Sequence, residues 1–174
     1  MVPIINIIDL FIVLSLTIAA CLDIATRTIP NGIPVIVAVA GLIVHVLAHP
    51  ETLAGSAAAS AVLFAVLALL HMRGLLGGGD VKLMAAIALG FSVTGINRFV
   101  FTTVIAGGVL ALVHLAARWA LRGRPLPAPP RRGASVFRRV LSAERWRIAR
   151  HGSLPYGVAI AIGGIWVILS TGGN

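Results

Sequence analysis

The sequence is poor in charge, and poorest in acid. Only 11% of its 174 residues are charged, against roughly 25% in a typical soluble domain. That excludes a water-soluble fold, which needs far more polar surface at this length. The carboxylates are Asp9, Asp23, Glu51, Asp80 and Glu144. The single cysteine, Cys21, excludes a disulfide framework and any multi-cysteine zinc site within the chain. No Lys or Arg precedes the first apolar run, and Asp9 interrupts it. Ile18-Ala19-Ala20-Cys21 looks like a lipoprotein cleavage box, but the missing basic region favours a retained first helix. What the chain has instead is apolar residues: 59% of the total, with a mean hydropathy of +1.03. The fold class this predicts is all-α, a polytopic integral membrane protein forming a single domain over residues 1–174.

Six apolar segments can be marked, at about Ile4–Ile24, Ile33–Ala48, Leu53–Met72, Val81–Val93, Phe99–Leu121 and Leu154–Ser170. About six transmembrane helices are therefore expected. The second and fourth fall short of the roughly 20 residues that a straight crossing needs, which implies thinning or burial among neighbours.

Basic residues are concentrated. Of the 14, nine lie between Arg122 and Arg150, in a connection at about 122–151. The first connection carries Arg27 and the third Arg73 and Lys82, whereas the second has Glu51 and no basic residue. Positive-inside counting then puts the odd connections in the cytoplasm and both termini outside. Within the basic connection, RGRPLPAPPRRG reads as an extended Pro-rich linker. SVFRRVLSAERWRIAR reads as a helix with Val136, Phe137, Val140, Leu141 and Ile148 on one face, interrupted by Glu144 and Arg147. A surface helix on anionic lipid accounts for its charge, and nucleic acid is not an expected partner.

Asp23 and Asp80 stand out among the acids. Both fall near the same membrane face, one closing the first helix and the other opening the fourth, in the stretch LLGGGDVKLMAAIALG. Each has a plain structural reading: Asp80 as a helix cap after three glycines, Asp23 as an ion pair with Arg27 four residues on. Together they also suit acid–base chemistry, because two like charges at one depth share a proton. One carboxylate then activates water and the other protonates the carbonyl or leaving amine. Glycines before Asp80 let a backbone approach closely. A phosphate-binding loop fails, since no Lys-Ser or Lys-Thr follows and an aspartate would repel phosphate.

Three motifs carry a family resemblance. DIATRTIPNGI, from Asp23, resembles the first active-site motif of type IV prepilin peptidases. GGGD, Gly77 to Asp80, resembles their Gly-x-Gly-Asp signature, and LPYGVAIAIGG, from Leu154, their Pro-Tyr-Gly segment. The order of the motifs also resembles that of the family, over nearly the whole chain. The resemblance implies an aspartic endopeptidase that removes prepilin or pseudopilin leaders at the cytoplasmic face of the bacterial inner membrane. It maps Asp23 and Asp80 onto the two catalytic aspartates, and implies neither a cofactor nor a metal. The chain most resembles the short members that serve tight-adherence, Flp-type pili. Longer members carry a cysteine-rich region and also methylate the new N-terminus; with one cysteine here, methyl transfer is not expected.

The remaining motif residues have local roles. Pro30 ends the first helix, Asn31-Gly32 supplies a turn, and Pro34 opens the second helix. Arg27 and Lys82 either tune the aspartates or hold the leader, or else anchor to headgroups. Gly77 and Gly79 support the second motif, and Pro155, Tyr156 and Gly157 the third; Tyr156 suits the site or an interfacial aromatic belt equally. His45 and His49 are read as interfacial polar residues rather than a metal pair, and His71 as a boundary residue. Two other functions fit parts of the pattern: a proton-coupled transporter using the aspartates as a relay, and a preflagellin-type peptidase.

Overall fold

The computed structural model describes residues 2–121, 135–149 and 153–171. The Pro-rich linker expected at RGRPLPAPPRRG lies outside the described residues. Within them the chain is all-helical, with α1 (Val2–Thr26), α2 (Gly32–Ala48), α3 (Leu53–Met72), α4 (Gly78–Ala88), α5 (Val93–Ala120), α6 (Val136–Ala149) and α7 (Tyr156–Thr171). A short 3-10 turn, Pro50–Thr52, joins α2 to α3.

Hydropathy and exposure identify a membrane protein. Helices α1, α3 and α5 are long and apolar enough to cross a bilayer, while α2 and α7 are apolar but shorter. Ile7, Leu10, Leu69 and Leu112 are each at least 60% exposed. A surface so apolar belongs against lipid.

Two boundaries differ from the expected segments. The fourth apolar run stops at Ala88 rather than Val93, and α5 begins at Val93, six residues before the expected Phe99. Ser92 is the cause: its Oγ accepts a hydrogen bond from Gly95 N–H at 3.2 Å and caps α5. Eleven residues of α4 rise about 16 Å, roughly half the hydrocarbon thickness. Helix α4 is thus buried among its neighbours rather than a full crossing.

Small residues set the packing, as they must where lipid tails are as apolar as leucine. A side chain on Gly41 would meet Gly90 Cα at 3.0 Å, so α2 and the turn that follows α4 meet backbone to backbone. Helix α7 wedges in by the same means: Gly163 abuts Thr103 of α5, and Gly164 abuts Leu16 of α1. Around these crossings lies the core of Leu16, Val37, Leu83, Ile87, Phe99, Ile160 and Val167. Helices α2 and α7 each pack against both α1 and α4. That arrangement brings the last turn of α1 and the first turn of α4 to the same end of the bundle.

Candidate active site

Asp23 lies in the last turns of α1 and is 6% exposed. Arg27, the ion-pair partner that one reading of the sequence allowed, is within electrostatic reach of it but makes no direct ion pair with it among the described contacts. Gly157 N–H, in the first turn of α7, donates to Asp23 Oδ2 at 2.8 Å. Only glycine permits this approach, because a Cβ at residue 157 would lie 2.9 Å from that oxygen. The carboxylate therefore sits at the positive end of α7, where free N–H groups favour an acceptor. Pro155, buried just before α7, starts that helix without an N–H of its own.

Asp80 is the third residue of α4, with Gly77 as the N-cap. This differs from the expected capping role, in which Asp80 itself held the N-cap position. Its side chain folds back toward the Gly77 backbone, and a Cβ on Gly77 would meet Oδ2 at 2.9 Å. An acid at this position reaching back to the cap is the geometry of half a capping box. Asp80 stands before the apolar run of α4, at the end of the bundle. Its pKa is raised from 3.8 to about 6, first by burial, then by the Asp23 carboxylate, against an opposing hydrogen bond from the Gly77 backbone. The two aspartates are thus within electrostatic reach of each other.

The surrounding motif residues organise this end of the bundle. Gly79 lets Ile29, in the loop after α1, approach the first turn of α4, where a Cβ would meet Ile29 Cβ at 3.3 Å. Lys82 Nζ donates to Asn31 Oδ1 at 3.0 Å, tying α4 to the same loop. Pro30 and Asn31 are exposed within that loop. The Tyr156 ring lies over Gly107 of α5, 2.7 Å from where a Cβ would be, and within electrostatic reach of Asp80. His71 binds the Leu76 carbonyl through Nδ1 at 2.8 Å and packs over Gly78, flanking the glycine turn.

Arg27 departs from helical geometry, with φ of 57°. A left-handed conformation costs a non-glycine residue roughly 1–2 kcal/mol. Its guanidinium pairs with Glu144 of α6. Glu144 and Arg147, which interrupt the apolar stripe of α6 in the sequence, both reach α1. Arg147 donates to the carbonyls of Ile24 at 2.8 Å and Ala25 at 3.0 Å. The interruption itself, at a spacing of three residues, was the available signal that this face meets protein.

The other end of the bundle holds the remaining acids. Asp9, Asn6, His45, His49 and Ser92 line a cavity of about 410 Å³ with Val37, Ile87 and Val167 among its apolar walls. His45 is buried rather than interfacial, and its Nε2 lies 3.1 Å from Thr52 Oγ1. His49 is exposed, 3.7 Å from Glu51. Among the described residues no group of three or more His, Cys, Asp or Glu is placed to hold a metal.

A profile of the type IV leader peptidase family matches residues 10–112, well over half of the chain. That span includes both Asp23 and Asp80. Searches of the curated proteins and of the solved structures return no match.

Proposed function

Because the chain belongs to the type IV leader peptidase family, we propose that it is an aspartic endopeptidase removing the leader of a Flp-like prepilin at the cytoplasmic membrane face. The observation that carries this reading is the convergence of two carboxylates from separate helices at one end of the bundle, close enough for the Asp23 charge to act on Asp80. Asp80, with its raised pKa, carries the shared proton; Asp23, held as an acceptor by Gly157 N–H, is the base. Asp23 takes a proton from water as the oxygen attacks the scissile carbonyl, and Asp80 protonates the carbonyl oxygen. Collapse of the tetrahedral intermediate returns that proton to Asp80, and Asp23 delivers its proton to the leaving amine. The cycle needs neither metal nor cofactor.

The glycines at 77 and 79 let the Asp80 carboxylate and the loop carrying Ile29 pack closely on the first turn of α4, which fixes the surroundings of Asp80. Lys82 and Tyr156 stand near that carboxylate. The basic residues at this end of the bundle support its placement in the cytoplasm, with both termini outside and anionic lipid at the headgroup level. Prepilin leaders, rather than preflagellin, are supported by the Pro-Tyr-Gly segment at the start of α7. The single cysteine supports a peptidase that does not methylate its product. Family membership and the position of both aspartates at one end, rather than at a midplane, favour proteolysis over a proton relay. No nucleic-acid partner is needed to account for the basic charge.

The test is co-expression with a Flp-like prepilin, reading leader loss by mass spectrometry. Wild type should shorten the prepilin; Asp23→Asn and Asp80→Asn, at matched membrane levels, should leave it intact. Cleavage by both variants would mean that the aspartates are structural.

A further inference from the structure

Helix α1 ends three residues after Asp23, and its ending is unusual. Arg27 occupies the left-handed position that glycine normally takes, and its N–H bonds the Asp23 carbonyl at 2.9 Å. The backbone of Asp23 is therefore part of the closing turn. Whatever fixes that turn fixes the aspartate.

Helix α6 lies against it. The Arg147 guanidinium spans two of the carbonyls that a helix leaves unpaired at its C-terminus, Ile24 and Ala25. A planar fork suits two adjacent acceptors, and a cation suits the negative end of a helix. Glu144 then pairs with Arg27 and with Arg147 at 3.4 Å, and His114 Nε2 of α5 lies 3.9 Å away. All four side chains are largely buried, between 12% and 22% exposed. Arg27 Nε and Nη1 are buried with no other partner among the described residues. Without Glu144, Arg27 would lose its ion-pair partner, with Asp23 the other carboxylate within electrostatic reach.

We propose that α6 is a clamp on the last turn of α1, and that Glu144 and Arg147 are positioning residues for Asp23. This rests on the peptidase reading for its effect on catalysis, but not for its effect on the turn. The basic connection between α5 and α7 thereby sets the site as well as the topology. Arg147 caps the turn, and Glu144 holds Arg27 in its strained conformation. Loss of either lets the turn unwind and moves Asp23 relative to Gly157 and Asp80.

Two measurements on the full-length protein in nanodiscs test this. The first is kinetics on a purified prepilin. Arg147→Ala should lower kcat about 10–100-fold with KM nearly unchanged, the scale expected for about 1 Å of misplacement. Arg147→Lys keeps the charge without the fork and should recover only part of the rate. Glu144→Gln should also lower kcat. The second is hydrogen exchange, which needs no substrate. Amides of residues 25–28 should exchange faster in Arg147→Ala, while those of α4 and α7 stay protected. Normal exchange at residues 25–28 would overturn the clamp, as would an unchanged kcat, a rise in KM alone, or loss of protection throughout the bundle. If wild type cut no prepilin, the peptidase reading would fall and the exchange result alone would decide the clamp.

Discussion

Helix α1 carries an aspartate near each end, Asp9 and Asp23, about 21 Å apart along its axis at 1.5 Å per residue. Both are taken out of water to some degree, yet their surroundings differ in kind. Asp9 borders a cavity of about 410 Å³ that it shares with His45, His49, Asn6 and Ser92, and among the described residues no second acid lines it. At Asp23 a glycine N–H holds one oxygen, a neighbouring helix supplies a second carboxylate, and α6 braces its turn. An acid in an apolar bundle is thus not by itself a site. The fixed hydrogen bond and the second carboxylate separate the two ends, and each can be removed experimentally.

Removing the carboxylates has the largest expected effect. Asp23→Asn and Asp80→Asn should each slow leader cleavage by at least about 10³-fold, within the range for loss of an acid–base group. The double variant should be little worse than either single one, since the pair acts as a unit. Single-turnover cleavage checks this; losses that multiply in the double variant would show that the two act separately.

Gly157→Ala comes next. The added Cβ would sit 2.9 Å from Asp23 Oδ2 and 3.0 Å from its Cβ, so the aspartate or α7 must shift. A loss of about 10–100-fold is expected for a displacement of that order. Gly108→Ala, where nothing lies within 4 Å, should change nothing. Equal rates for the two variants would mean that the Gly157 contact does not set the geometry.

The pH profile sharpens the comparison further. Burial and Asp23 raise the Asp80 pKa to about 6, so its proton is present below that value and lost above it. If Asp80 supplies the acid, kcat should fall as pH rises through about 6, by up to about tenfold per unit beyond it. The apparent value belongs to the pair rather than to one residue. Rates in nanodiscs between pH 5 and 8 read this directly, and a level profile would remove Asp80 from the acid role.

These expectations rest on different amounts of sequence information. The helices were legible because long apolar runs between Pro, Gly and basic residues leave few alternatives in a membrane. Asp23 and Asp80 were legible because acids are so scarce here that two at the same depth stand out. The Ser92 cap was not, since a serine inside an apolar run gives no sign that it ends one helix and starts another. Gly157 was visible only as part of a motif; that its N–H reaches Asp23 depends on α7 wedging against α1, a relation between segments distant in sequence. Glu144 and Arg147 showed as blemishes on an apolar stripe, and only the docking of α6 gives the blemish a partner. The direct partner of Arg27 was hidden for a related reason. Helical spacing put Arg27 on the face of Asp23, but its left-handed backbone turns it out of that register toward Glu144.

The smallest expected effect lies at the other end of α1. Asp9→Asn and His49→Ala alter a cavity lined by no second carboxylate among the described residues, on the far side of the core from Gly157 and Asp80. Leader cleavage should stay within about twofold of wild type, the size expected of substitutions away from a site. The assay is the same single-turnover measurement, with membrane levels matched. This outcome is the most informative against the reading as a whole, because it tests the contrast from the side where nothing should happen. If Asp9→Asn abolished cleavage while leaving α1 folded, burial of a carboxylate would matter more than its partners. The division of the bundle into a reactive end and a passive one would then fail.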